Sequence, residues 1–179
     1  MPKSLAAGHT KLILCDNTLM AAAADLEALS IATDLATMTD ISCRIASSDF
    51  VLGPTGSNTV TDSALCDTAA VQVPTTSQFS GNNITPFRYF DETGKAETGA
   101  GGDAGDAAFQ AVKVKGATLW LLRRDTSKLS TEDLASGDEY RLFKCTCDDY
   151  QQTPQDGYIK HPTPLFIEEM YTGVIAAAA

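Results

Sequence analysis

The chain has 179 residues, 44% of them hydrophobic, and 13 basic against 23 acidic side chains leave a net charge of −10. A domain of this length buries roughly 70% of its unfolded surface, so its core needs no disulfide or metal. The acidic balance excludes a free phosphate-backbone binder, which needs a basic surplus to release counterions, and the apolar content excludes intrinsic disorder.

In chain order, Leu12-Ile13-Leu14-Cys15 is a short apolar run closed by the turn-forming pair Asp16-Asn17, and reads as a buried strand. Met20 to Asp40 spreads Leu26, Leu29, Leu35 and Met38 at roughly helical intervals, while Thr33, Thr37 and Thr39 weaken the propensity. A short helix inside a longer connection is one reading of it. Ile41-Ser42-Cys43-Arg44-Ile45 alternates apolar and polar side chains and predicts a strand with one buried face. Phe50 to Phe90 is rich in Thr, Val, Ser, Gly and Asn, with Gly53-Pro54-Thr55-Gly56-Ser57-Asn58 between β-branched stretches, which predicts antiparallel sheet with a turn. Pro86 lacks an amide donor and belongs at the start or edge of a strand through Phe90.

Asp91 to Asp106 interleaves acids and alanines with Gly94, Gly99, Gly101, Gly102 and Gly105, and predicts a mobile acidic loop. Asp103 and Asp106 offer carboxylates to the free amides of a helix from Ala107 to Val112, with Lys113 and Lys115 complementing its dipole and Gly116 stopping it. Thr118 to Leu122, apolar on both alternating faces, predicts a central strand that Arg123-Arg124-Asp125 carries to the surface. Glu139 to Cys147 predicts another strand. Tyr158 to Tyr171 predicts a last one, with Ile159, Leu165 and Ile167 on one face. Pro162 and Pro164 turn their missing N–H groups to one edge of it, an edge that is locally outermost or bulged. No repeat of 20 to 50 residues is visible.

No stretch approaches the roughly 20 apolar residues of a membrane-spanning helix, and Met1-Pro2-Lys3-Ser4-Leu5 is not the start of a secretory signal, so a cytoplasmic protein is expected. Five cysteines, Cys15, Cys43, Cys66, Cys145 and Cys147, then read as reduced thiols.

The candidate chemistries are thin. A Ser-His-acid mechanism has only His9 and His161 to draw on, neither within a nucleophile motif, and both read as surface or packing residues. Cys145-Thr146-Cys147 is spaced too closely for a zinc pair and reads as small buried side chains. Gly101-Gly102-Asp103-Ala104-Gly105-Asp106 occurs once and lacks the tandem copies of a calcium repeat and the Gly-Lys-Ser/Thr ending of a phosphate cradle. Glu168-Glu169 and Asp148-Asp149 are adjacent strand residues that point to opposite sides, so neither pair is expected to converge. Asn83-Ile84-Thr85 matches a glycosylation sequon, idle in a cytoplasm. The chain reads as no enzyme, with no cofactor or metal.

Several strings carry a resemblance: Ile41 to Ile45, Gly53-Pro54-Thr55-Gly56-Ser57-Asn58-Thr59-Val60, Ala64-Leu65-Cys66-Asp67, Thr85-Pro86-Phe87-Arg88-Tyr89-Phe90-Asp91, Lys113 to Arg124, Gly137-Asp138-Glu139 and Gly157-Tyr158-Ile159-Lys160. In order and spacing the chain resembles the major tail tube proteins of long-tailed, siphovirus-type phages that infect actinobacteria, from Leu12 to Tyr171. Met20 to Ala32 and Val174 to Ala179 depart from that pattern. The resemblance implies a mainly β fold of two packed antiparallel sheets, sandwich- or barrel-like, with one short flanking α-helix, in a single domain spanning residues 1–179. It implies a structural virion protein that forms homo-hexameric rings, their strands joined side by side into an inner barrel. The rings stack into a tube that conducts double-stranded genomic DNA without binding it specifically.

The partners implied are the tape measure, tail terminator and distal tail proteins, with assembly in the host cytoplasm, no membrane, and terminal extensions touching neighbouring subunits. Asp91, Glu92, Glu97 and Asp103 of the acidic loop, with Pro162 and Pro164, are the residues expected at inter-subunit or inter-ring contacts. An all-β domain with no catalytic constellation suits such a part on its own physics, because ring closure hides strand edges that would otherwise aggregate. Six copies at −10 place about 60 negative charges on a ring, and any share facing the bore repels DNA phosphates. The rival reading is a carbohydrate-binding or adhesion β-sandwich module, which would stay monomeric.

Overall fold

The computed structural model describes residues 8–62, 71–99, 104–152 and 157–177. The apolar run near the N-terminus forms β1 (Lys11–Cys15), and its alternation sends Leu12 to one face of a sheet and Ile13 and Cys15 to the other, all buried. Asp16 then accepts hydrogen bonds from the amides of Thr18 and Leu19 at 2.8 and 3.1 Å and caps α1 (Asn17–Ala22). The helix expected somewhere between Met20 and Asp40 thus starts earlier, and the acid read as the end of a strand is its cap. The rest of that connection is irregular, yet Leu29 and Leu35 are fully buried. The buried Tyr140 ties it down: its hydroxyl donates to the Leu26 carbonyl at 2.9 Å and accepts from the Leu29 amide at 3.2 Å.

β2 (Thr39–Asp40) pairs with β1, and the strand expected over Ile41 to Ile45 is absent; Ser42–Arg44 form a single 3₁₀ turn instead. The physical reason is local. The Asp40 carboxylate accepts from the Ser42 amide at 2.9 Å and the Ile41 carbonyl accepts from the Arg44 amide at 2.9 Å, so an acid-led turn outcompetes the alternating pattern. Asp40 also accepts from the buried Lys11 ammonium at 2.5 Å.

β3 (Gly56–Asp62) and β4 (Val71–Gln78) form the antiparallel pair expected after Phe50. Gly53 to Thr55 lead into it rather than turning it; the connection between the two strands falls outside the described residues. The strand expected through Pro86 to Phe90 reduces to β5 (Asn83–Ile84) followed by isolated bridges, Ile45 to Pro86 and Phe87 to Lys160. Cation–aromatic contacts hold this stretch: the Arg44 guanidinium lies 3.9 Å over Tyr89, and that of Arg88 4.0 Å over Phe109.

α2 (Ala107–Val112) forms as expected, but Asp106 does not cap it. Its fully buried carboxylate instead accepts from Arg88 Nε at 3.1 and 3.2 Å, the Tyr89 amide at 2.9 Å and Gln110 Nε2 at 2.7 Å. β6 (Thr118–Arg124), β7 (Glu139–Cys147) and β8 (Thr163–Val174) follow, the last beginning five residues later than the sequence suggests. Arg124, expected at the surface, is buried and donates to the carbonyls of Leu129, Glu132 and Asp133, with Asp138 Oδ2 at 3.8 Å.

The fold class is mainly β with two antiparallel sheets. The larger runs in the order β2-β1-β6-β7-β8-β5 and curls into a half-barrel; β3 and β4 are the other. There are two short α-helices among the described residues where one was expected. Both faces of the large sheet are covered. On one, α2 presses Phe109 and Val112 onto Leu12, Leu119, Leu121, Phe143 and Cys145. On the other, the connection after α1 packs Leu29 and Leu35 onto Ile13, Trp120, Leu122 and Leu142.

Two positions test this packing. A Cβ at Gly173 would collide with the backbone of Glu27, which crosses β8 there, so Gly173→Ala should cost about 1–3 kcal/mol, read as a lower urea midpoint. Asp106→Ala strands the half-buried Arg88 guanidinium and should cost about 3–5 kcal/mol in the same measurement, while Asp106→Asn, which keeps the shape, costs less.

Candidate functional site

The most unusual local geometry lies on β8. Its register with β7 runs from Glu139 opposite Val174 to Lys144 opposite Glu169, then jumps to Cys145 opposite Ile167, leaving Glu168 as an extra residue. Such a bulge turns two successive side chains to nearly the same side. Lys144 Nζ therefore sits 3.3 Å from Glu168 Oε2 and 3.0 Å from Glu169 Oε1. The expectation that Glu168 and Glu169 diverge is overturned by this bulge. Asp148 and Asp149 also converge, just past the end of β7, where Lys115 Nζ lies 3.1 and 2.8 Å from their carboxylates. Each acidic pair is thus gathered around one lysine.

Hydrogen bonds and charge set the electrostatics of the β8 cluster. Glu168 lies below the usual carboxylate range because the Thr146 hydroxyl and then Lys144 donate to it; Glu169 does so through Tyr171 and then Lys144. Lys144 is raised in turn by the same two carboxylates.

β8 also carries a row of backbone groups with nothing opposite them. Its outer neighbour β5 meets only Thr163 and Pro164. The Leu165 amide donates to the Asn82 carbonyl at 2.9 Å and the Val174 amide to the Glu27 carbonyl at 3.0 Å, which fixes the direction of every residue between them. Ile167, Met170 and Thr172 face away from β7, and their amides and carbonyls have no hydrogen-bond partner among the described residues. Phe166 beside them is 59% exposed. A second exposed element is the β3–β4 pair, whose described side chains all face solvent. It carries Val60 and Val73 directly opposite each other at 54% and 52% exposure.

The residues named for inter-subunit contact fall in two places. Asp91, Glu92 and Glu97 are exposed on the acidic segment. The Asp91 carboxylate accepts from the amides of Thr93 and Lys95 at 2.8 and 2.9 Å, and the segment folds back through bridges from Phe90 to Ala96 and Thr98 to Gly105. Asp103 lies outside the described residues. Pro162 and Pro164 share an edge, but it is neither outermost nor bulged as the sequence suggests. That edge is lined by the chain leaving β7, whose Gln151 and Asp148 amides donate to the two proline carbonyls at 2.7 and 3.0 Å. The structure does not bring the acidic segment and the prolines into one patch with Glu168 and Glu169.

The remaining candidates sit as packing residues. Cys145 and Cys147 are buried on the α2 face, and burial pushes both thiols up to about 12. His161 is packed against Phe109 and Tyr150, each ring centroid 5.1 Å away, and His9 Nδ1 lies 3.2 Å from the Lys128 carbonyl. Asn83 of the sequon is a half-buried strand residue whose side chain donates to the Asp49 carbonyl at 3.0 Å. One cleft of about 340 Å³, between Leu12, Ser42, Ile45 and Phe50, is lined by no ionisable side chain. No group of three or more His, Cys, Asp or Glu side chains is arranged to hold a metal among the described residues, and no described helix is long and apolar enough to cross a membrane.

Sequence reasoning missed the Lys144 cluster and the open row on β8. The bulge that makes the first leaves no trace in periodicity, and the second depends on where β5 stops. Replacing the shared cation tests the cluster: in Lys144→Met both Glu168 and Glu169 should titrate at higher pH than in wild type, read from side-chain carboxyl resonances. Unchanged midpoints would show that Lys144 does not hold the pair.

Comparison with the curated proteins and with the solved structures finds no match. The family described as phage tail tube protein matches residues 1–179, the whole chain, and accords with the mainly β architecture expected of such a part. The chain belongs to the phage tail tube protein family, a structural component of the virion.

Proposed function

We propose that the chain assembles in the host cytoplasm into homo-hexameric rings that stack into the tail tube of a long-tailed phage, a non-enzymatic conduit for double-stranded DNA. The observation that carries this reading is the open row on β8. A strand edge with free amides and carbonyls is a template for another chain, and a soluble protein that keeps one must cover it. Joining sheets around a closed ring removes the edge altogether. The half-barrel curl of the large sheet suits it to be one segment of such a ring.

Within this reading Asp91, Glu92, Glu97 and Asp103 contact the next ring or subunit, and Pro162 and Pro164 sit at the start of the joining strand. The net charge of −10 per copy supports a tube whose wall does not hold DNA. Tape measure, tail terminator and distal tail proteins are the further partners, meeting the tube along its bore and at its ends.

Thr172→Pro tests the edge without cutting the sheet, because the Thr172 amide points away from β7 and the ladder keeps its bonds. Negative-stain images should show rings and tubes for wild type at high concentration and few or none for Thr172→Pro, while circular dichroism of the two monomers matches. Wild-type tubes from Thr172→Pro would end the edge-pairing reading.

A further inference from the structure

The open row on β8 has a specific occupant to account for, and the molecule offers one. We propose that β3 of a second copy pairs onto the outer edge of β8, adding the β3–β4 hairpin of one subunit to the large sheet of the next. This rests on the ring assembly proposed above and names the two surfaces that make it.

Four observations lead to it. The first is length: β3 has seven residues, and the open stretch of β8 from Phe166 to Thr172 is as long. At about 3.4 Å per residue the two edges are similar in length, β8 falling short of β3 by the one residue taken up in its bulge at Glu168. The second is donor chemistry. Every residue of β3 carries an amide, whereas Pro74 interrupts the donors of β4, so β3 is the edge of the hairpin able to complete a continuous ladder. Third, the hairpin lacks a core of its own. A two-stranded pair is marginal in water without a third strand or a packed face, and here the side chains of residues 56–61 and 72–78 are exposed, with Val60 and Val73 forming an uncovered apolar pair. A strand laid along β3 supplies the third.

The fourth concerns which other edges are free. The far side of the large sheet ends in β2, only two residues long: it pairs with Ile13 and Leu14, and the Ile41 amide and the Ser42 side chain engage Leu12. Among the described residues the β8 edge therefore has no second open edge of comparable length in its own sheet to meet. Pairing β8 with β8 of another copy is symmetric about a two-fold axis and stops at a dimer. Pairing β3 with β8 is head-to-tail: each subunit gives one edge and receives another, which is the kind of interface that closes rings. The hairpin rather than the opposite sheet edge is what makes the assembly directional.

Engineered cross-links test the assignment. In a Cys43→Ser, Cys66→Ser background, Thr172→Cys is combined in turn with Ser57→Cys, Thr59→Cys and Thr61→Cys, which covers either strand direction, and assembled particles are oxidised. At least one pairing should give a covalent ladder extending beyond dimers on non-reducing gels, while Thr172→Cys alone gives none. Wild-type protein supplies a readout independent of these variants: on assembly the amides of Ile167, Met170 and Thr172 and those of β3 should gain hydrogen-exchange protection together. Rings or tubes that form with no ladder from any pairing and no protection at β3 overturn the hairpin assignment and leave ring assembly standing. A dimer linked through Thr172→Cys alone overturns it in favour of the two-fold pairing. A wild-type chain that stays monomeric at every concentration overturns both the assignment and the ring.

Discussion

The register between β7 and β8 is the constraint on which the rest of the molecule depends. Along a regular strand Leu165, Ile167, Glu169 and Tyr171 would share one face, and two of the four are too polar for a core. The extra residue at Glu168 resets the alternation. Leu165, Ile167 and Met170 then all reach the face beneath α2, while Glu169 and Tyr171 turn to the face of Trp120 and Lys144. One inserted residue thus lets a strand that begins in one core end against another. It also crowds two carboxylates onto one lysine, and it changes the spacing of the outward amides on the open edge. A bulge blunts an edge toward indiscriminate partners, so the feature that organises the core also restricts what can pair with it.

Buried charge does a related job on the connections. Long irregular stretches cross both faces of the large sheet, and few of their residues have ladder bonds to hold them. Arg124, at the end of β6, anchors the stretch after it by donating to three carbonyls of that stretch. Asp138 answers from the start of β7: burial disfavours its ionisation, but the hydrogen bonds from Lys128 and the Ala135 amide, with the charges of Lys128 and Arg124, hold it below the usual carboxylate range. Lys11 and Asp40 bind β1 to the turn after β2 in the same manner. Arg124, Asp138 and Lys11 are buried, and each keeps at least one backbone partner beside its opposite charge, while Asp40 stands exposed.

Among the described residues two lines of backbone stand apart from the core, the outer edge of β8 and the hairpin of β3 and β4. Both lines are backbone, and backbone recognition tolerates side-chain variation while demanding matched length and direction. The surplus of ten negative charges disfavours adhesion to a polyanion.

Composition and periodicity alone determined that this is a mainly β chain with a short helix at Ala107 to Val112, strands at Leu12 to Cys15, Thr118 to Leu122 and Glu139 to Cys147, and buried Cys145 and Cys147. Those features follow from local alternation and turn chemistry, which a sequence carries explicitly. The strand expected at Ile41 to Ile45 failed because Asp40 offered its carboxylate to a nearby amide, a local contest that alternation does not record. Asp106 failed as a cap because Arg88, eighteen residues away, claimed its carboxylate. The Glu168 bulge, the burial of Arg124 and the open edge of β8 were decided by tertiary structure alone. Each depends on which strand lies alongside and where that strand ends, and backbone pairing between distant segments leaves no mark on the order of the residues.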